Sequence, residues 1–202
     1  SLYPVLAQIQ NCPVAKVPLN NNWLPPKDFA KQLNDAGAPL SFLVNPHAPS
    51  GVLMDPDSVA RIADELDGLL LLDEAYIDFV EPEMAYNSVP LIQSHDNVVI
   101  LRTLSKGYSL AGLRLGYGIG PEALIKTMLE KNRDSYNLDW LSQEIACAAL
   151  QHRDHARLSW DKVRQERTRV STSLRKLGFE VIDSCANFIL ATIGAGGAKT
   201  LY

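Results

Sequence analysis

Cysteine is scarce in this chain of 202 residues, and Cys12, Cys147 and Cys185 are scattered and odd in number. That favours free thiols in a reducing cytoplasm over a disulfide framework, and the cysteines show no metal-ligand spacing. Long apolar runs are missing too. None approaches the roughly 20 residues of a membrane helix, and Ser1 opens no secretory signal pattern. Neither sign of charge dominates: 19 basic against 23 acidic residues give a net charge of -4. This argues against nucleic acid as the main partner. His152 and His155 form a His-x-x-His pair, but they sit in the charged stretch Arg153–Arg157 and read as a solvated helix face rather than metal ligands. No internal repeat is present. What remains is ordinary for a soluble globular protein: 47% hydrophobic and 21% charged residues.

Strand-like apolar runs alternate with helical patterns, which predicts an α/β fold with a mainly parallel sheet. Pro39 precedes the run Leu40–Val44, and Asn45-Pro46 stops it. Asp55-Pro56 reads as a helix start, with Asp55 as N-cap and proline in the first turn. Val59, Ile62, Ala63 and Leu66 give that helix one apolar face. Gly68 is expected to end it, and Leu69–Leu72 reads as a strand buried on both faces. Val98–Leu101 is the next strand. Pro121-Glu122 opens a helix carrying Leu124, Ile125, Met128 and Leu129. Two further helices are expected over about 138–151 and 154–177, the second highly charged and closed by Gly178. Phe179–Ile182 and Phe188–Ala191 read as strands of a second, smaller unit, and Gly194–Gly197 as a small-residue loop.

Each of the three apolar runs ends in a polar group: Asn45, Asp73 and the stretch Arg102–Lys106. In open α/β sheets ligands collect beyond the carboxyl ends of the strands. Parallel pairing of the three would gather these residues at one edge. The stretch from Arg102 to Tyr117 is loaded with hydroxyls and glycines and carries Lys106 and Arg114. Arginine offers a fixed fork of donors for phosphate, and Ser and Thr hydroxyls complete such a cradle. Lysine is the side chain that condenses with carbonyl cofactors. Composition by itself does not separate Lys106 from a surface lysine on a glycine-rich turn.

Three segments in order carry a specific likeness: Asn45-Pro46-His47-Ala48-Pro49-Ser50-Gly51, Asp73-Glu74-Ala75-Tyr76, and Ser105-Lys106 with Ala111-Gly112-Leu113-Arg114-Leu115-Gly116-Tyr117. Together they resemble the fold-type I aminotransferases that use pyridoxal 5'-phosphate (PLP), and most of all the histidinol-phosphate branch. The resemblance implies a PLP-binding large domain with a mainly parallel sheet over residues 1–135. It further implies a helical connection over 136–177 and the start of a smaller α+β domain over 178–202. Lys106 would hold PLP as a Schiff base and move the substrate proton. Asp73 would pair with the pyridine nitrogen and keep it protonated. Tyr76 and Asn45 would hydrogen-bond the phenolic oxygen, and Ser105, Arg114 and Thr103 would hold the phosphate. Tyr136 and Asn137 would line the substrate pocket. The plainer alternatives are a core aromatic for Tyr76, a structural ion pair for Arg114 and a helix cap for Asn137.

The expected reaction moves an amino group between histidinol phosphate and 2-oxoglutarate, in a cytoplasmic homodimer of histidine biosynthesis with small amino and oxo acids as substrates. A threonine-phosphate decarboxylase, another amino-acid aminotransferase and a non-catalytic PLP-fold module are the alternatives. His47, Ala48 and Ser50 depart from the family's commonest residues without removing the proposed chemistry, and Glu74 receives no catalytic part. The likeness begins inside the family pattern, near a tyrosine that Tyr3 matches, and the carboxylate-gripping arginine falls beyond Tyr202. The chain is therefore expected to be a fragment, poorly active on its own.

Overall fold

The computed structural model describes residues 2–132 and 134–193. The expected loop Gly194–Gly197 and the chain end to Tyr202 lie outside the described residues. In chain order the elements are helices α1 (Leu2–Ile9) and α2 (Phe29–Asp35), strand β1 (Leu40–Val44), α3 (Pro56–Glu65), β2 (Leu69–Asp73), α4 (Leu91–Ser94), β3 (Val98–Thr103) and β4 (Gly116–Ile119). Helices α5 (Glu122–Lys131), α6 (Trp140–Gln151) and α7 (Arg153–Lys176) follow, and then a two-stranded ribbon of β5 (Glu180–Val181) and β6 (Ala191–Thr192).

The main sheet has the order β1-β2-β3-β4. The first three strands are parallel, as the alternating pattern predicts. Strand β4 is an antiparallel addition that the pattern does not predict, because Gly116 and Gly118 dilute its apolar signal. Register places Val44 opposite Asp73 and Asp73 opposite Leu101, so the three carboxyl ends are level.

One face of the sheet is dry. Leu43, Leu70, Leu72, Val98 and Ile100 meet Phe29, Ala30 and Leu33 of α2 and Val59 and Ala63 of α3. Leu70, Leu72, Val98 and Ile100 are wholly inaccessible, each stabilising the fold by about 1.5–3 kcal/mol. The other face is thinly covered. Leu40 and Phe42 are exposed, with the Tyr3 ring of α1 against Phe42 at 4.2 Å. Burial along β2 accordingly alternates, which corrects the expectation of a strand buried on both faces.

Helix α3 starts as its sequence predicts: the Asp55 carboxylate accepts from Ser58 N at 2.8 Å, and Pro56 fills the first turn. Its end is corrected. Leu66 is already extended, and Gly68 is needed for another reason: a Cβ there would lie 2.7 Å from Pro39 O where β2 enters beside β1. The C-terminus of α7 does use its glycine. Gly178 at φ +88° donates to Arg175 O while Phe179 donates to Leu174 O, closing the last turn. Helix α5 starts after Pro121 as expected and buries none of its side chains, with Met128 and Leu129 exposed. Two further readings are adjusted. Helix α6 begins at Trp140 behind the N-cap Asp139. The ribbon strands are two residues each, because only Glu180–Val181 and Ala191–Thr192 find ladder partners.

Candidate functional site

The level strand ends set out the site. Asn45 N donates to Asp73 O at 2.8 Å and Glu74 N to Leu101 O at 2.9 Å, so the main chain locks the three exits side by side. The Asp73 side chain emerges there. Its Oδ1 accepts from Ala75 N at 3.0 Å and its Oδ2 from the Tyr3 hydroxyl at 2.5 Å. Burial, with the Asp73 bond and charge added, holds the Tyr3 phenol well above the usual range, so it stays a donor. Tyr3 shows from which side Asp73 takes a proton donor.

Lys106 is exposed and its Nζ stands 5.7 Å from the centre of the Tyr76 ring. Burial, then the charge of Asp73, raises the Tyr76 phenol above its ordinary value, leaving a protonated donor at neutral pH. Asp73, Tyr76 and Lys106 are thus brought to one edge. Behind Lys106 the main chain is seated firmly. Trp160 of α7 donates its indole N–H to Gly107 O at 2.6 Å. On the other side the Asp78 carboxylate presses on Gly107, where a Cβ would fall 2.2 Å from Oδ2. Only glycine fits between them.

Glu74 turns the opposite way from Asp73 and is 1% exposed. Arg102 forks onto its Oε2 from Nε at 2.9 Å and Nη2 at 2.8 Å, and Oε1 accepts from the Ser88 and Tyr86 hydroxyls. Such a fully paired buried carboxylate ties β2, β3 and the 86–88 loop together. Sequence reasoning misses this network because its members are 12 to 28 residues apart. The one local signal is an arginine at the carboxyl end of a buried strand.

Several expected ligands are placed differently. The Asn45 side chain is buried, with both amide hydrogens spent on Met54 O and Tyr86 Oη, each at 2.9 Å, and its oxygen on Met54 N at 2.8 Å. In this arrangement its amide braces the loop that follows β1. Thr103 Oγ1 donates to Leu115 O and accepts from Ser105 N, which makes it the pin of the turn into Lys106. The Ser105 hydroxyl has no hydrogen bond among the described residues. Arg114 is exposed, left-handed at φ +53°, and one guanidinium N–H goes to Ala111 O at 2.8 Å. Tyr136 is 93% exposed, and Asn137 is exposed without capping a helix, that place being taken by Asp139. No described contact links either to Lys106.

Asp78 makes the site sensitive to pH. Burial pushes its carboxyl up to about 6, against the opposing pull of Arg153 and Arg102. A raised carboxyl stabilises the fold most below the unfolded value near 3.8, and that contribution is lost as pH rises through about 6. Asp78→Asn is therefore expected to be more stable than the parent at pH 7.5 by about 2–3 kcal/mol, with no advantage at pH 3.5. Urea midpoints across this interval test it, and a gap that is constant with pH contradicts it.

The edge of a mainly parallel α/β sheet thus presents a strand-end carboxylate, a phenol and an exposed lysine together. The chain matches the family model for aminotransferase class I and II over residues 1–201, and it belongs to that family. Among its relatives, histidinol-phosphate aminotransferase of Microcystis aeruginosa is 42% identical over 202 residues, all of this chain and 56% of that protein. Histidinol-phosphate aminotransferase 1 of Nostoc sp. is also 42% identical, covering 55% of its length. The chain spans about half the length of these curated relatives. The crystal structure of histidinol-phosphate aminotransferase from Sinorhizobium meliloti in complex with pyridoxal-5'-phosphate superposes with a TM-score of 0.88 at 25% identity, over 97% of this chain and 53% of that one. L-threonine-O-3-phosphate decarboxylase from Porphyromonas gingivalis shares the fold, with a TM-score of 0.77 at 23% identity over 96% of this chain and 57% of that one.

Proposed function

We propose that this chain carries the cofactor-holding part of a PLP-dependent aminotransferase that exchanges an amino group between histidinol phosphate and 2-oxoglutarate. The observation that carries the reading is the meeting of Lys106, Tyr76 and Asp73 at the level ends of three strands. Identity of 42% across the whole chain to enzymes named for that reaction supports the substrate. The proposed division keeps residues 1–135 as the cofactor domain, 136–177 as the helical connection and 178–202 as the start of the small domain, whose last nine residues lie outside the described ones. A cytoplasmic homodimer accords with three free thiols and with the exposed apolar side chains Leu2, Val5, Leu6 and Ile9 of α1. No described helix is long and apolar enough to cross a membrane.

The residues suit the ring end of PLP well. Asp73 already accepts a hydroxyl proton from the site side, Tyr76 offers a protonated phenol, and Lys106 offers a free amine. At the phosphate end Ser105 supplies a hydroxyl with no hydrogen bond among the described residues and Arg114 an exposed guanidinium, while the Thr103 hydroxyl is engaged by Leu115 O and Ser105 N. At the ring end the Asn45 amide is engaged by Met54 and Tyr86. When bound, the cofactor supplies a carbonyl to capture amines and an electron-poor ring to withdraw charge from the substrate Cα. Lys106 Nζ would take the proton from the substrate Cα, Asp73 would hold a proton at the ring nitrogen, and Tyr76 would donate to the ring oxygen.

Two measurements test this. Bound cofactor should give a band near the visible that bleaches on adding histidinol phosphate and returns with 2-oxoglutarate. A band that never responds to either partner contradicts the reading. Asp73→Asn keeps size and most hydrogen bonding but removes the charge. Its rate should fall by roughly 10²- to 10³-fold with cofactor still bound, a loss like that of one preorganised electrostatic contact. Near-normal turnover would mean that the ring nitrogen has another partner.

A further inference from the structure

The loop ahead of β6 belongs to the site and not only to the second sheet. It is fastened at three points. Cys185 N donates to Gly51 O at 2.7 Å, and Gly51, at φ +75°, lets Ser184 come so close that a Cβ would fall 2.0 Å from its Oγ. Arg167 of α7, 7% exposed, donates from Nη1 to Ala186 O at 2.6 Å and to Phe79 O at 3.0 Å, and from Nη2 to Glu81 at 2.6 Å. Burying a guanidinium is costly unless acceptors surround it, so these partners are tied to each other through Arg167. Two residues beyond Ala186, Phe188 stands edge-on to the Tyr76 ring, with centroids 4.9 Å apart and planes at 86°. The same ring lies 5.7 Å from Lys106 Nζ.

We propose that Phe188 is a positioning residue of the Lys106 site: held by the Arg167 bracket, it fixes the plane of Tyr76 and so the aim of the phenol beside Lys106. The proposal rests on the reading of Tyr76 and Lys106 given above. Tyr76 precedes the turn Ile77–Phe79, and that turn is clamped from α7 by Arg167 on Phe79 O and by Arg164 on Asp78 O at 3.3 Å. The backbone of Tyr76 is therefore fixed without Phe188. Its ring depends on its neighbours, since a tyrosine ring turns about two side-chain bonds. Tyr76 packs on one side against the cluster of Phe79, Ala156 and Trp160, and Phe188 adds the edge-on contact that sets the ring plane. A ring free to swing would still permit cofactor binding but would aim its donor less well, and small misplacement of such a group costs rate steeply.

The test compares Phe188→Ala with Phe188→Tyr in the full chain, first without and then with PLP. Without cofactor, the Tyr76 ring resonances, followed by side-chain NMR, should broaden or average in Phe188→Ala while amide exchange at 76–79 stays close to the parent, and Phe188→Tyr should restore the parent ring signals. With PLP bound, the pH midpoint of the visible band should move by more than about half a unit in Phe188→Ala, kcat should fall about tenfold with KM little changed, and Phe188→Tyr should return both. Unchanged Tyr76 ring signals, or an unmoved midpoint, overturn the proposal. If wild type forms no band while the Tyr76 ring signals respond to Phe188→Ala, the positioning link stands and the cofactor reading falls.

Discussion

Lys106→Ala is expected to lose amino transfer by at least about 10³-fold while its melting temperature stays within a few degrees of the parent. The size follows from what the amine does. It both captures the cofactor carbonyl and moves the Cα proton, and positioned proton transfer alone is worth about 10²- to 10⁴-fold. The stability follows from where it sits. The side chain is exposed, and surface truncation away from packed groups usually stays within about 0.5 kcal/mol. The Gly107 seat, made by Trp160 and Asp78, uses main-chain atoms that the substitution keeps. Transfer from histidinol phosphate to 2-oxoglutarate, measured beside a thermal melt, checks both halves. Activity within tenfold of the parent removes Lys106 from the reaction, and a collapsed melt means that the lysine is structural.

The largest stability effect belongs to Glu74→Ala, although Glu74 touches no reacting atom. The substitution leaves Arg102, with a side chain only 23% exposed, facing an uncompensated position, and it frees the Ser88 and Tyr86 hydroxyls inside the protein. Breaking a buried pair from one side costs about 3–5 kcal/mol. At this chain length that lowers the melting temperature by roughly 10 °C. The double variant Glu74→Ala with Arg102→Met should recover part of the loss, because it removes the stranded charge. A single-variant midpoint within about 1 °C of the parent contradicts the network.

These two residues lie inside the sequence motifs and mark where the sequence is readable. That Asp73 and the Arg102–Lys106 stretch share one edge follows from three apolar runs that each end in a polar group and pair in parallel, while Lys106 itself is singled out by the resemblance of the ordered motifs. Asp55 as N-cap and Gly178 at a helix end are equally legible, since their signals are local. Long-range facts are not. Glu74 looks like a spectator of Asp73 until Arg102, Tyr86 and Ser88 converge on it. Asn45 looks like a ligand until Met54 and Tyr86 are seen to occupy its amide. Strand β4 has too much glycine to be read as a strand and exists through its pairing with β3. Helix α7 reads as long and highly charged, and the sequence does not single out Arg164 and Arg167 as buried, because carbonyls of the Ile77–Phe79 turn and its surroundings take their N–H groups. Trp160 is the local signal there: one large aromatic on so polar a helix marks the face turned inward.

The most direct test of the central claim is to load the protein with PLP, reduce it with borohydride and map the modified peptide by mass spectrometry. The account predicts one phosphopyridoxyl group per chain, on Lys106, and none in Lys106→Ala. Modification at another lysine, or none in the parent, contradicts it.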